Sequence, residues 1–268
     1  VSIQQHTRFH SGDAVIGTLR VNGFDRYNLF DHLAVDNIDV HYTALRDAFS
    51  NLPADPYGAG LNRYRRYGAA IYLPWNDSLN WLPAAHDPEL GDDVLRYYQG
   101  GFNAEHPGEV RAFPALPPDV LANPLLQAVL RFDYAQGAWP AELATTPFYL
   151  GVHFIKLLAA EPGALAMTSP NHLHQDGEPI HFAHLIERVN ASGGENVICG
   201  VDQVGKSPAD VPADAILERF TLTDPLQAYG ICDHLVSHHL DPVSKGDGAG
   251  PGHRSAVLVD VTPMRKDI

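Results

Sequence analysis

Positive charge is scarce in this chain, with 18 Lys and Arg against 32 Asp and Glu, a net charge of −14 and a pI near 5.4. Duplex nucleic acid and anionic membrane both reward clustered cations, so neither is an expected partner and a small molecule is. Cysteine is nearly absent: Cys199 and Cys232 are the only two, both in apolar surroundings that read as core rather than as a disulfide framework. No apolar run approaches the roughly 20 residues of a membrane-spanning helix, and the first residues carry no signal-peptide pattern. A soluble, cytoplasmic protein is therefore expected. Internal repeats and low-complexity tracts are missing too, and 45% hydrophobic residues over 268 positions suffice for one substantial core.

Histidine, by contrast, is plentiful, with 15 copies. The stretch Pro170-Asn-His-Leu-His-Gln-Asp-Gly177 sets His174 and Asp176 two positions apart. On a β-strand such residues share a face, so an imidazole and a carboxylate would converge on one point. In a histidine-rich chain this spacing alone is weak evidence. A third ligand must come from elsewhere, and Asp233-His-Leu-Val-Ser-His-His-Leu-Asp-Pro-Val243 offers His238, or His239 on the opposite face. Two histidines and a carboxylate are the facial triad of non-haem Fe(II) oxygenases.

Coarse patterning places these motifs in a β-rich second half. Ala14 to Val21 is a strand candidate, Leu29 to Leu52 suggests one or two amphipathic helices, and Leu116 to Phe132 reads as a helix. From Phe148 onward short runs alternate with turn signals, as in a double-sheet jelly roll. Ile180 to Ile186, a Gly193-Gly194 turn and Asn196 to Cys199 read as a hairpin that the metal ligands would precede. Arg254 opens a buried-looking final strand, 16 residues past His238 (254 minus 238). Arg63, Arg65 and Arg66 form the densest cationic cluster and read as ion-paired surface or as a carboxylate site. His153 reads as a satisfied core histidine, and of His181 and His184, on opposite faces of their strand, one can face a cavity. Glu195 reads as a turn residue.

These motifs resemble the bacterial 2-oxoglutarate/Fe(II)-dependent dioxygenases that hydroxylate free L-amino acids, the family of L-isoleucine 4-hydroxylase. The resemblance runs from about residue 60 to 262. It rests on Tyr97-Tyr98-Gln99 with Asn103, Val152-His153, the Pro-x-x-His-x-Asp-Gly block, Arg188-x-Asn190-x-x-Gly193-Gly194-Glu195 and Gly252-x-Arg254. It implies a mainly β protein with flanking helices, a double-stranded β-helix (jelly roll, cupin-like) core over 146–268 and an N-terminal α/β layer over 1–145, together one domain. It further implies Fe(II) on His174, Asp176 and His238, with 2-oxoglutarate and O2 as co-substrates and Arg254 binding 2-oxoglutarate. The substrate it implies is a free small aliphatic or cyclic L-amino acid, bound by Arg188, Gln99 and Asn103, with succinate and CO2 as co-products. A homodimer stays open. The family's usual His-x-x-Thr-Pro becomes His-x-x-Asp241-Pro242 here, and His172 is additional; both departures touch the surroundings of the triad. The residues alone also leave room for a metal enzyme without 2-oxoglutarate or a non-catalytic jelly-roll binding module.

Overall fold

The computed structural model describes residues 18–99, 101 and 107–265. Its centre is a seven-stranded antiparallel sheet in the order β1 (Phe24–Asn28), β13 (Gln227–Cys232), β9 (Ile180–Val189), β16 (Gly252–Pro263), β7 (Phe148–Ala159), β2 (Arg63–Leu73) and β3 (Ser78–Trp81). Three smaller sheets complete the described strands. Two come from the second half: β10 (Ala191–Gly193), β15 (Val243–Lys245) and β8 (Leu165–Ala166), then β12 (Ile216–Phe220), β11 (Asn196–Gly200) and β14 (Val236–Leu240). The third, β4 (Ala85–Asp87), β5 (Asp92–Tyr98) and β6 (Val110–Pro114), belongs to the first half.

Strand alternation builds two compartments from one sheet. On β7, Phe148, Leu150, Val152 and Phe154 join Val257, Val259 and Val261 of β16 in the main apolar cluster. That cluster is closed by helices α2 (Ile38–Asp47) and α4 (Pro124–Gln136), through residues such as Leu45, Leu126 and Leu130. The intervening residues of the same strands, among them His153, Ile155 and Leu157 on β7 and Arg254, Leu258 and Asp260 on β16, line a cavity on the other face. Period-two patterning thus supplies a sealed core behind the sheet and a polar chamber in front of it.

Three elements differ from the sequence-based expectation. Residues 18–22 form helix α1 (Thr18–Asn22), not the end of a strand, and the helix stops at Gly23 with φ +83°; positions 14–17 lie outside the described residues. The helix expected from Leu116 is split into α3 (Pro118–Leu121) and α4. Asn123 caps α4, its side chain accepting from Leu125 N (2.9 Å) and Leu126 N (3.3 Å), and Pro124, which has no N–H to give, occupies the first turn. The Gly193-Gly194 turn does not return β11 against β9. Instead β9 pairs with β16 and β13 while β11 pairs with β12 and β14, so the chain crosses from one sheet to another.

Gly193 has φ +71°, and a Cβ there would overlap the Pro242 carbonyl oxygen. Gly193→Ala is therefore expected to destabilise the protein by more than about 1 kcal/mol, read as a lower urea midpoint with an unchanged slope.

Candidate functional site

A cavity of about 880 Å³, open mouth included, lies between the inner face of the large sheet and the strand β14. His238 projects into it from β14, where the backbone exchanges two hydrogen bonds of 3.0 Å with His174. His174 and Asp176 are not on a continuous strand. The pleat ends at the single His174–His238 bridge, and Asp176 is held by a loop. What replaces the pleat is Asp233: its carboxylate accepts from Asp176 N at 2.9 Å and Gly177 N at 2.7 Å, and its carbonyl accepts from the Gln175 side chain. Sequence reading missed Asp233, although its position at the head of the His238 segment is the available signal.

Donor atoms of His174, Asp176 and His238 all lie within 4.8 Å of one another. His174 Nδ1 bonds the His172 carbonyl at 2.8 Å, which makes it the protonated nitrogen and frees Nε2, 3.7 Å from Asp176 Oδ1. His238 Nε2 stands 3.4 Å from Asp176 Oδ2. Burial works against the Asp176 anion, but the charge and hydrogen bond of His238, with His181 and His174, hold its carboxyl well below the usual carboxylate range. Desolvation, with His238 nearby, lowers His174 to about 4, so it is a neutral imidazole ready to ligate. Two imidazoles and one carboxylate, facing each other with one side open to the cavity, fit a non-haem Fe(II) ion. His239 points the other way, to Asp241 at 3.2 Å. Asp241, the departure from the family pattern, therefore lies on the far side of β14 from the triad.

Around the triad runs a buried polar chain. Asp260 accepts from His153 Nε2 at 2.9 Å and from His181 Nδ1 at 2.7 Å, and His181 Nδ1 is 3.8 Å from Asp176 Oδ2. Burial alone would push His181 down, but the bond to Asp260 and the charges of Asp176, Asp260 and Asp233 outweigh it and raise it to about 9. His184 faces the helices instead and bonds Asp133 at 2.9 Å. His153 is lowered to about 4, chiefly by burial and then by Arg65. An unfolded His153 titrates near 6.5, so between pH 6.5 and 4 the unfolded chain takes up the extra proton. The contribution of neutral His153, on the order of 3 kcal/mol, is present above 6.5 and lost as pH falls toward 4. His153→Gln is expected to flatten the acid limb of a stability–pH profile in that window, measured by urea unfolding.

Arg254 lines the cavity from β16 and is 4% exposed, yet no carboxylate pairs with it among the described residues and its Nε has no partner. Desolvation lowers it to about 10. Apolar Leu157, Leu258 and Leu240 and the ring of Tyr229 share its part of the wall. A buried cation without an anion, set among short apolar side chains, suits the distal carboxylate of a small dicarboxylate such as 2-oxoglutarate. Arg188 does not line the cavity: its Nη2 donates to the carbonyls of Ala191 (3.0 Å) and Gly193 (2.7 Å), so it fixes the turn. Gln99 does reach the site, but as a bridge. Its Nε2 donates to Asp176 Oδ1 at 3.2 Å and its Oε1 accepts from Arg111 at 2.7 Å. Asn103 lies outside the described residues. Of the cationic cluster, Arg63 and Arg65 line the cavity, whereas Arg66 bonds the Ala115 carbonyl at 2.8 Å outside it. Glu195 is at the surface, paired with Arg219 at 2.8 Å.

A family model described as 2OG-Fe dioxygenase matches residues 46–260. The chain is 28% identical over 228 residues to 3(1)-hydroxy-L-isoleucine 4-dioxygenase of Pantoea ananatis, covering 80% of this chain and 78% of that protein. It is 30% identical over 199 residues to L-isoleucine-4-hydroxylase of Bacillus thuringiensis, covering 73% and 72%. Among solved structures, IDO from Bacillus thuringiensis superposes with a TM-score of 0.70 at 21% identity, over 93% of this chain and 94% of that one. TqaL, an Fe(II)/α-ketoglutarate-dependent dioxygenase, gives 0.69 at 14% identity, over 94% and 87%. These two superpositions show a shared fold.

Proposed function

Because the chain belongs to the 2OG-Fe dioxygenase family, we propose that this Fe(II)- and 2-oxoglutarate-dependent enzyme hydroxylates a side-chain carbon of a free, small L-amino acid. His174, Asp176 and His238 would hold the iron, and Arg254 the 5-carboxylate of 2-oxoglutarate. With dioxygen, the loaded iron supplies the power to convert an unactivated C–H bond to an alcohol, with succinate and CO2 as co-products. The chain's own residues bind, orient and shield. Gln99 fixes one oxygen of Asp176, Asp260 fixes His181 beside it, and the apolar wall of Leu157, Leu258 and Leu240 keeps water from the co-substrate.

One observation carries the reading: the cavity has two separate cationic anchors, Arg254 on β16 and the Arg65–Arg111 group on β2 and β6. The second replaces Arg188 as the site for the substrate α-carboxylate. The curated relatives named above, both isoleucine-type enzymes, point to an amino acid as the bearer of that carboxylate. We take the whole chain as a single dioxygenase domain, since β1, β2 and β3 of the first half join the same sheet as the strands of the second. Two free buried thiols accord with a reducing, cytoplasmic setting, and among the described residues no helix is long and apolar enough to cross a membrane. The test is to supply Fe(II), 2-oxoglutarate and a panel of free amino acids in air. A mass gain of one oxygen with matching succinate is expected; hydroxylation of a peptide or carrier-bound substrate alone would overturn the free-amino-acid reading.

A further inference from the structure

The wall of the cavity formed by β2, β5 and β6 holds more positive charge than a simple amino acid can use. Arg63, Arg65 and Arg111 all line it, at 6%, 7% and 4% exposure. Asp55, with a fully buried side chain, accepts from Arg63 Nε at 2.7 Å and lies 3.9 Å from Arg65 Nη1, so it offsets one of the three. The remaining partners are neutral. Arg111 donates to the Gln99 amide oxygen at 2.7 Å. Arg65 meets Nδ1 of His153, which is left as an acceptor because Nε2 already serves Asp260. Asp260 gives one oxygen to His153 and the other to His181, and has none turned to an arginine. On the iron side the charges of Fe(II), Asp176, doubly charged 2-oxoglutarate and Arg254 cancel, the His181 cation faces Asp260, and the carboxylates of Asp233 and Glu178 are turned to backbone N–H groups and to Thr262 rather than to an arginine. Neither Arg65 nor Arg111 therefore has a carboxylate within hydrogen-bond distance among the described residues, which is unfavourable for buried guanidinium groups unless a ligand brings anions.

These two cations are also held ready. Arg65 Cζ sits 3.9 Å from the centre of the Phe113 ring, and Arg111 Cζ 5.1 Å from Tyr97 and 5.5 Å from Phe113. Stacking on aromatic rings occupies the faces of a guanidinium and leaves its N–H edge to meet a carboxylate in plane. Arg65 Nε is buried with no partner. An amino acid with a plain hydrocarbon side chain brings one carboxylate and one ammonium, and so no net charge.

We propose that the substrate is a dicarboxylic L-amino acid, a short aliphatic chain ending in a second carboxylate, with one carboxylate taken by Arg65 and the other by Arg111. This rests on the free-amino-acid reading above and narrows it. Ile155, the register partner of Arg65 across β2 and β7, provides an apolar surface for the methylenes between the two acids.

The experiment titrates the Fe(II)- and 2-oxoglutarate-loaded enzyme, under anaerobic conditions, with L-aspartate, L-glutamate, L-2-aminoadipate, L-glutamine, L-isoleucine and L-leucine. Binding is read by calorimetry, and each compound is then assayed in air for oxygen incorporation. One of the three acids is expected to bind about 30-fold or more tightly than glutamine, isoleucine or leucine. Arg111→Met is expected to erase that preference while leaving iron retention intact. Equal or tighter binding and hydroxylation of the neutral amino acids would overturn the dicarboxylate assignment and leave the free-amino-acid reading standing. Binding of none of the six, with turnover of a peptide or carrier-bound substrate, would overturn both.

Discussion

His238→Ala is expected to abolish iron retention and to lower turnover by at least about 100-fold, the upper end of what loss of a mere outer partner of a ligand brings. His239→Ala is expected to keep both. The two neighbours alternate across β14: His238 Nε2 lies 3.4 Å from Asp176, while His239 Nε2 lies 3.2 Å from Asp241 on the opposite face. Removing His238 leaves His174 and Asp176 as two ligands of an open site, whereas removing His239 leaves the cavity side of the strand unaltered. Metal content after desalting, measured alongside turnover, checks the pair. Full occupancy in His238→Ala with loss in His239→Ala would reverse the assignment.

The contrast between these residues shows how much of the site is legible in the chain. His174 and Asp176 stand out by their spacing, and the family-like pattern brings His238 and Arg254 with them. The reason for their convergence is not legible. Strand periodicity suggests that His174 and Asp176 share a pleat, but the pleat ends at His174, and it is Asp233 that clamps the loop through two backbone N–H groups. A carboxylate accepting backbone hydrogen bonds leaves no mark in local pattern, because its partners lie 56 and 57 positions away. The same holds for Gln99, whose motif is visible but whose role as a bridge from Arg111 to Asp176 depends on a loop 77 positions further along the chain. The fold is read better than its crossings. Short runs between turn signals from Phe148 onward predict the strands, while the turn at Gly193 carries nothing to say that β11 leaves for another sheet. Arg188 illustrates the limit from the other side: a conspicuous cation near a Gly-Gly turn serves the turn's carbonyls.

Arg254→Ala is expected to raise the 2-oxoglutarate requirement by about 30-fold to several thousand-fold, with iron retained. Truncating one partner of a desolvated charge pair costs about 2–5 kcal/mol, and each 1.4 kcal/mol is a factor of ten. Arg254 has no carboxylate partner among the described residues and its Nε is unsatisfied, so in the ligand-free protein its charge is a liability that burial drives down to about 10. A residue kept for structure alone would lower stability when replaced. Arg254→Met, which fills similar volume without the charge, is therefore expected to raise the melting temperature of the ligand-free protein while showing the same loss of 2-oxoglutarate binding, the trade of stability against function seen where a site is strained in the absence of its ligand. Adding 2-oxoglutarate and metal should then stabilise the wild type far more than the variant. A fall in melting temperature for Arg254→Met with unchanged affinity for 2-oxoglutarate would mark Arg254 as a structural cation and return the co-substrate carboxylate to another of the cavity's arginines.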